Sequence, residues 1–270
     1  MNEADAIDLA LWQLIAAYLF IIVILIIVRI KKIPREKLIV IATVRMTVQL
    51  VLVGYLLMYV FEYPHPIITL LIVLIMLGFA IFNVYQRSTI SIQPPVKKMI
   101  ALAMGSGISV SLAFFILVVL NLDPWYDPRF FIPIGGMVIG NAMTGITLGI
   151  NNLLIGMKEQ KEKVEGALML GASPKEASKT ILNQAFDSAM LPTINSMVGM
   201  GIVFLPGMMT GQIIAGASPV TAVKYQIAIM LGVAGTVSIT VVIFLHLAYK
   251  TFFNEQKQFT FNRTKIDSSK

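Results

Sequence analysis

The chain has 270 residues, of which 57% are hydrophobic and only 13% are charged, and its mean hydropathy is +0.82. Soluble globular domains carry about 25% charged residues, so this composition excludes a water-soluble enzyme. The chain has no cysteine, which also excludes a disulfide-stapled secreted module and thiolate metal sites.

Seven apolar segments are each long enough to cross a bilayer as a helix. The first, residues 9–28, is an uncharged run that spans a hydrocarbon core of about 30 Å and lacks the basic flank of a signal peptide. The others cover residues 38–60, 67–85, 99–120, 132–157, 193–216 and 225–248. We therefore expect an all-α polytopic membrane protein with about seven transmembrane helices.

The basic residues fall on one side of this topology. Of the 21 basic residues, all but Arg45, Arg129 and Lys224 follow helices one, three, five and seven. Because cytoplasmic loops are enriched in Lys and Arg, we expect the N-terminus outside and the C-terminus in the cytoplasm. The net charge of +7 is then an orientation signal and not a nucleic-acid signature. Residues 1–250 are expected to form one transmembrane domain, and residues 251–270 a polar cytoplasmic tail.

Helix two contains two polar side chains, Arg45 and Gln49, four residues apart on one face and about 10 Å from its inner end. Two interpretations stay open: the pair lines an internal cavity or a subunit interface, or Arg45 reaches back to the headgroups. No Asp or Glu lies well inside any predicted span. This argues against a proton- or sodium-coupled transporter, which usually carries a buried carboxylate.

Helix five carries a stripe of small and amide residues at spacings of four, four and three, with two more polar residues at its border. The stripe is Asn141, Gly145, Gly149 and Asn152, and the border residues are Thr144 and Asn151. Small residues let helices approach closely, and amides bond across the contact. Helix packing and a substrate-facing stripe both remain open.

Helix six is predicted to be interrupted at Pro206 and Gly207, because proline removes a backbone hydrogen bond inside the helix. Broken helices often line transport pathways, although a simple proline kink is the alternative. Met208, Met209 and Gln212 follow the break. Methionine thioethers can bind soft metals, but methionine more often fills cores, and no metal ligand is assigned.

The segment 158–192 between helices five and six is too polar to enter the bilayer and predicts two helices that meet at a corner. Gly171 suits a left-handed helix end, Ser173 a helix cap, Pro174 the first helical position, and Glu176 completes a capping box. We expect an exposed docking knob on the cytoplasmic side. An ordinary helical hairpin is the alternative.

This segment resembles a known coupling element. The stretch from Glu165 to Ala172 is similar to the EAA loop of ABC-transporter permeases, in which a glutamate and a glycine six positions later form the helix that fits the ATPase. The Leu-Pro pair expected soon afterwards arrives only at Leu191-Pro192, which argues against a binding-protein-dependent importer.

The chain resembles more closely the FetB/YbbM-type permease family of iron exporters, which has a related branch in plant aluminium tolerance. The resemblance covers about residues 10–250. The matching stretches are residues 45–50, 134–137, 140–143, 191–197, 205–212 and 216–219.

The resemblance implies a membrane subunit of an ABC complex that exports iron across the cell membrane. It implies a homodimer of permease chains with two cytoplasmic ATPase subunits. No Gly-x-x-x-x-Gly-Lys-Ser/Thr loop occurs in the chain, so ATP and magnesium are expected on the partner and the chain itself is not expected to be an enzyme. An ABC permease for an organic solute, such as a nucleotide sugar, and a secondary transporter are the alternatives.

Two sets of candidate residues follow. The ATPase-coupling residues are Glu165, Gly171, Ala172, Ser173 and Lys175. The candidate translocation pathway comprises Arg45, Gln49, Asn141, Thr144, Asn151, Asn195, Pro206, Met208, Met209 and Gln212.

Overall fold

The computed structural model describes residues 10–88 and 92–260, and these are almost entirely helical. Position 9 of the first predicted helix and residues 261–270 of the predicted tail lie outside the described residues. The helices are α1 Leu11–Ala17, α2 Leu19–Ile30, α3 Glu36–Glu62, α4 Pro66–Arg87, α5 Pro94–Phe114, α6 Pro128–Glu159, α7 Lys161–Met169, α8 Pro174–Gly199, α9 Gly207–Ile214 and α10 Pro219–Ala248. A π-helical turn, Phe115–Val119, extends α5, and a 3-10 turn, Tyr249–Phe252, ends α10.

Six helical stretches in the described ranges are long and apolar enough to cross a membrane. They are Leu11–Ile30, Glu36–Glu62, Pro66–Arg87, Pro94–Val119, Pro128–Glu159 and Pro219–Phe252. The all-α, multi-pass architecture predicted from the sequence is therefore confirmed. The segment 193–216 is not one continuous helix, because α8 ends at Gly199 and α9 begins at Gly207. The interruption predicted at Pro206 is confirmed, whereas a seventh continuous span is not found in the described residues.

Proline marks the start of five of the long helices, namely α4, α5, α6, α8 and α10. Pro66, Pro94, Pro128, Pro174 and Pro219 each occupy the first helical position, where the missing N–H costs no hydrogen bond. The preceding Asp127, Ser173 and Ser218 accept a backbone N–H through their side chains, as good N-caps do. The ends of these helices are thus fixed by local sequence.

Contacts between helices establish their directions. Helices α5 and α10 are antiparallel, because Gly107 meets Thr240 while Gly232 meets Phe115. Helix α6 runs parallel to α10, with Gly145 beside Val237 and Gly149 beside Val241. The Tyr85 hydroxyl donates to the Lys97 carbonyl at 2.8 Å, which joins the end of α4 to the start of α5. One end of the bundle, called the basic end below, therefore carries Arg87, Lys98, Lys158 and Lys250.

The buried core lies around α6 and α10, which contact each other and also α5 and α8. Large side chains such as Ile146, Ile150 and Phe244 are fully buried there. In contrast, Val28 and Val60 are the only buried residues that the structure describes in α1, α2 and α3. Exposed apolar surface on these peripheral helices is what a lipid environment requires.

The described part of the tail folds back on the bundle. Phe252 is buried, and the Phe253 and Phe259 rings pack edge-on with centroids 5.6 Å apart. These residues partly join the core. The stretch 251–260 therefore packs apolar side chains against the bundle, whereas a polar tail was predicted from its composition.

Candidate functional site

Helix α6 has one open face that carries polar side chains. Asn141, Thr144 and Asn152 are exposed there, and Asn151 is half-buried beside them. Each exposed side chain donates to the carbonyl four residues earlier: Asn141 to Met137 at 2.8 Å, Thr144 to Gly140 at 3.1 Å, and Asn152 to Leu148 at 3.1 Å. Such local bonds satisfy polar donors inside a membrane at little cost.

The glycines of the predicted stripe do not share this open face. A Cβ atom on Gly145 would lie 2.8 Å from Val237 Cγ1 and 3.3 Å from the Ala189 carbonyl oxygen, and one on Gly149 would lie 3.4 Å from the Ala189 Cβ atom. Both glycines are therefore close-packing positions against α8 and α10. The predicted stripe is therefore divided: its glycines pack against neighbouring helices, and its amides Asn141 and Asn152 are exposed beside them.

Helix α8 lies alongside α6 and adds a second row of exposed polar residues, Gln184, Asp187 and Asn195. Their spacing of three and eight residues places them on one helix face. The register is antiparallel, since Gly156 meets Ile181 and Gly149 meets Ala185 and Ala189. This register brings Asn195 to the level of Asn141. Near the basic end, the Gln160 amide donates to Gln184 Oε1 at 3.4 Å.

The two rows together form a continuous polar surface on an otherwise apolar bundle. It consists of Asn141, Thr144, Asn151 and Asn152 from α6 and Gln184, Asp187 and Asn195 from α8, and is called the polar face below. Lipid is a poor solvent for amides and carboxylates. The polar face therefore requires water, a solute or another protein surface opposite it.

Asp187 is the carboxylate that the sequence reading placed in a cytoplasmic segment. It lies on α8 between Ala185 and Ala189, both of which contact Gly149 of α6. Gly149 is nine residues from Lys158, and its neighbour Val241 is nine residues from Lys250, so Asp187 lies about 13 Å along the helix axes from the basic end. Asp187 thus lies beside the candidate span of α6, although α8 itself is not among the six stretches that are long and apolar enough to cross a membrane.

Arg45 and Gln49 are both exposed on α3, as their shared face predicts. The Arg45 guanidinium lies 4.7 Å from the centroid of the Phe79 ring of α4. A cation over an aromatic ring is a favourable contact in an apolar setting. Arg45 thus contacts α4. Along α3 it lies eight residues, or about 12 Å, from Lys37 near the start of the helix.

The residues after the break lie in a different place. Pro206 precedes the first turn of α9, and Gly201 has a φ of +86°, which a glycine adopts readily. Helix α9 contacts α10, with Met209 buried and Met208 packed against the core. Gln212 is half-buried on the same helix. The structure therefore brings Asn141, Thr144, Asn151 and Asn195 together, and it separates Met208 and Met209 from them as packing residues.

The corner between α7 and α8 has the predicted local structure. Gly171 has a φ of +90°, its N–H donates to the Leu168 carbonyl, and the Ala172 N–H donates to the Ala167 carbonyl, each at 3.0 Å. This is the Schellman pattern of a helix end. The Ser173 N–H donates to Glu176 Oε2 at 2.9 Å, and the Glu176 N–H donates back to the Ser173 hydroxyl oxygen at 3.3 Å.

The corner between α7 and α8 carries both charged side chains and an exposed apolar tip. The backbone hydrogen bond from Ser173, followed by the bond from its hydroxyl, lowers the pKa of Glu176. Glu165 pairs with Lys161 at 3.5 Å, while Lys175 is exposed. Met169 and Leu170 are 86% and 91% exposed at the tip. The predicted coupling residues did not include these two apolar side chains, although their position directly before Gly171 indicates the tip.

Comparison with known proteins gives consistent matches over most of the chain. The family described as "Uncharacterised protein family (UPF0014)" matches residues 11–253. "Probable iron export permease protein FetB" of Escherichia coli (strain K12) is 34% identical over 253 residues, which cover 94% of this chain and 96% of that protein. No solved structure matches the chain.

Two further relatives extend the range of organisms. "UPF0014 membrane protein YjkA" of Bacillus subtilis (strain 168) is 39% identical over 223 residues, covering 83% of this chain and 87% of that protein. "Protein ALUMINUM SENSITIVE 3" of Arabidopsis thaliana is 33% identical over 214 residues, covering 79% of this chain and 77% of that protein. Proteins similar to this chain thus occur in both bacteria and plants.

Proposed function

The chain belongs to the UPF0014 family of multi-pass membrane proteins, and we propose that it is the permease subunit of an ABC transporter that exports iron. In this proposal two copies of the chain assemble with two ATPase subunits, which hold ATP and magnesium. The chain itself is not an enzyme. The basic end faces the cytoplasm, in agreement with the positive-inside rule, and the polar face lines the solute pathway.

The observation that carries the proposal is the apolar tip of the corner between α7 and α8. Met169 and Leu170 are almost fully exposed at the basic end, where lysines and glutamates otherwise dominate. An exposed apolar pair on a rigid, doubly capped corner is typical of a docking site. The tip is joined directly to α8, and α8 contacts α6 and α10, so movement of the tip reaches the polar face.

The relative's name supports iron as the solute, since FetB of Escherichia coli is named as a probable iron export permease. Apart from Asp187, the side chains of the polar face are neutral amides and a hydroxyl. These groups favour a second candidate solute, a hydroxylated organic molecule such as a nucleotide sugar.

Leu170→Asp tests the coupling step. Because Leu170 is 91% exposed, the substitution leaves the fold intact and places a charge in the proposed ATPase contact. We expect the ATPase to lose both its co-purification with the permease and its stimulation by ferrous iron in vesicles. The measurement is ATP hydrolysis by the reconstituted complex, with and without iron.

Gln256→Asp is the matched control, because Gln256 is exposed and belongs to the tail, not to the corner between α7 and α8. It should leave co-purification and stimulation unchanged. Full iron-stimulated hydrolysis by the Leu170→Asp complex would refute the proposed docking. Stimulation by a nucleotide sugar, and not by iron, would favour the second candidate.

A further inference from the structure

Arg45 and Asp187 are two charged side chains at membrane depth that form no ion pair within the described residues. Arg45 rests on the Phe79 ring, and Asp187 is exposed on α8. Charged residues inside a membrane protein almost always face a cavity or pair with one another. Each of these two charges therefore either faces water or pairs with a group that the described residues of one chain do not supply.

The two charges lie at the same depth. Arg45 is eight residues from Lys37, and its contact Phe79 is eight residues from Arg87, which corresponds to about 12 Å along α3 and α4. Asp187 is level with Gly149, nine residues from Lys158, which corresponds to about 13 Å along α6. The two depths, measured along different helices, therefore agree.

The two charges lie on opposite sides of the open face of α6. Gly136 contacts Met76 of α4, whereas Gly145 contacts Ala189 of α8. Nine residues separate these glycines, or about two and a half helical turns, so α4 and α8 flank α6 on opposite sides. Arg45 is held against α4 by Phe79, and Asp187 lies on α8. The open face lies between them.

We propose that Asp187 of each chain pairs with Arg45 of a second copy of this chain. A two-fold axis along the membrane normal preserves depth and turns the α8 side of one polar face toward the α3 side of the other. In such an interface residue i meets j and residue j meets i, so one rotation forms two identical ion pairs. The inference rests on the homodimer in the proposed function and specifies its contact.

The pairs would also enclose the polar face. With an ion pair on each side, Asn141, Thr144, Asn151 and Asn195 of both copies face a shared interior instead of lipid. Pairing neutralises charges that are costly to hold unpaired in hydrocarbon. In the dimer, the polar face is thus removed from lipid and both charges are paired.

Cysteine crosslinking tests the pairing cleanly, because the chain contains no cysteine. Arg45→Cys and Asp187→Cys are placed on two chains with different tags, co-expressed with the ATPase and treated in the membrane with a short crosslinker that reacts with two thiols. Such a crosslinker is needed because an Arg–Asp ion pair holds its Cα atoms farther apart than the roughly 7 Å that a disulfide can bridge. We expect a crosslinked species that carries both tags. Either variant expressed alone should give no crosslinked dimer.

Ser106→Cys is the matched control, since Ser106 lies on α5 eight residues from Lys98, at a similar depth, and is exposed. Combined with Asp187→Cys it should not crosslink, because α5 lies on the other side of α6. A crosslink with Ser106→Cys as strong as with Arg45→Cys, or self-crosslinking of Asp187→Cys, would overturn the pairing.

Charge exchange provides a second test, which does not depend on thiol geometry. Arg45→Asp or Asp187→Arg alone should weaken dimerisation on the order of 100-fold. The double variant should restore it. A double variant no better than the single variants contradicts the pairing. A wild-type complex that is dimeric but fails both tests leaves the proposed function standing, whereas a monomeric permease in the active complex refutes the homodimer itself.

Discussion

At the residue scale, glycines set how closely the central helices approach. A Cβ atom on Gly107 would lie 2.6 Å from Thr240 Oγ1 and 3.0 Å from the Thr240 Cα atom. A backbone atom cannot move aside as a side chain can. The contact between α5 and α10 at this level therefore requires glycine, and the same level of the bundle carries Val241, Gly149 and Asp187.

Gly107→Ala should destabilise the protein by about 1–3 kcal/mol, since the added methyl group overpacks a backbone contact. Gly105→Ala on the same helix is the control, because nothing lies within 4 Å of its Cβ position. The control should stay within about 1 kcal/mol of wild type. Unfolding by denaturant in detergent micelles measures both, and equal effects of the two substitutions would contradict the described contact.

The sequence predicted some residues of the polar face and missed others for a physical reason. Asn141, Thr144 and Asn195 were identifiable because amides and hydroxyls stand out in apolar helices. Asp187 was not, because it lies in the segment 158–192, whose many charged and amide residues resemble a cytoplasmic segment. Its depth depends on the packing of α8 against Gly149 and Gly156, a tertiary contact that hydropathy does not contain.

At the element scale, the corner between α7 and α8 was predictable because its structure is local. The left-handed Gly171 and the reciprocal bonds of Ser173 and Glu176 involve only residues close in sequence. The break within residues 193–216, by contrast, was only partly predictable from the local sequence. Pro206 predicted the break, but whether a helix crosses the membrane or stops depends on its contacts with α10.

Acid should loosen the corner. The hydrogen bonds from Ser173 lower the pKa of Glu176 in the folded chain, so the cap is fully formed above the usual carboxylate pKa. Its contribution is lost as the pH falls through the lowered value, because the protonated carboxyl no longer accepts both bonds as an anion. Hydrogen exchange at residues 171–177, corrected for intrinsic rates, should rise in that range.

Glu176→Gln is the control for this effect, because glutamine can complete a capping box without titrating. Exchange at the corner in this variant should not depend on the state of residue 176. If wild type and Glu176→Gln show the same acid response, the carboxylate is not the group that controls the corner.

At the scale of the whole molecule, the apolar tip, α8 and the polar face form one connected path. Met169 and Leu170 lie at the basic end, and α8 carries Gln184, Asp187 and Asn195 from there along α6. An ATPase that moves the tip therefore moves one wall of the polar face. The low charge content of the chain fits this arrangement, since the proposed complex takes its energy from the ATPase.

Iron transport by the reconstituted complex tests this account most directly. The permease and its ATPase are placed in inside-out vesicles, with the basic end outside, and ferrous iron accumulation is followed with ATP or a non-hydrolysable analogue. The account predicts accumulation that requires ATP hydrolysis and is lost in Leu170→Asp. Iron movement that proceeds without ATP and follows an ion gradient would contradict it.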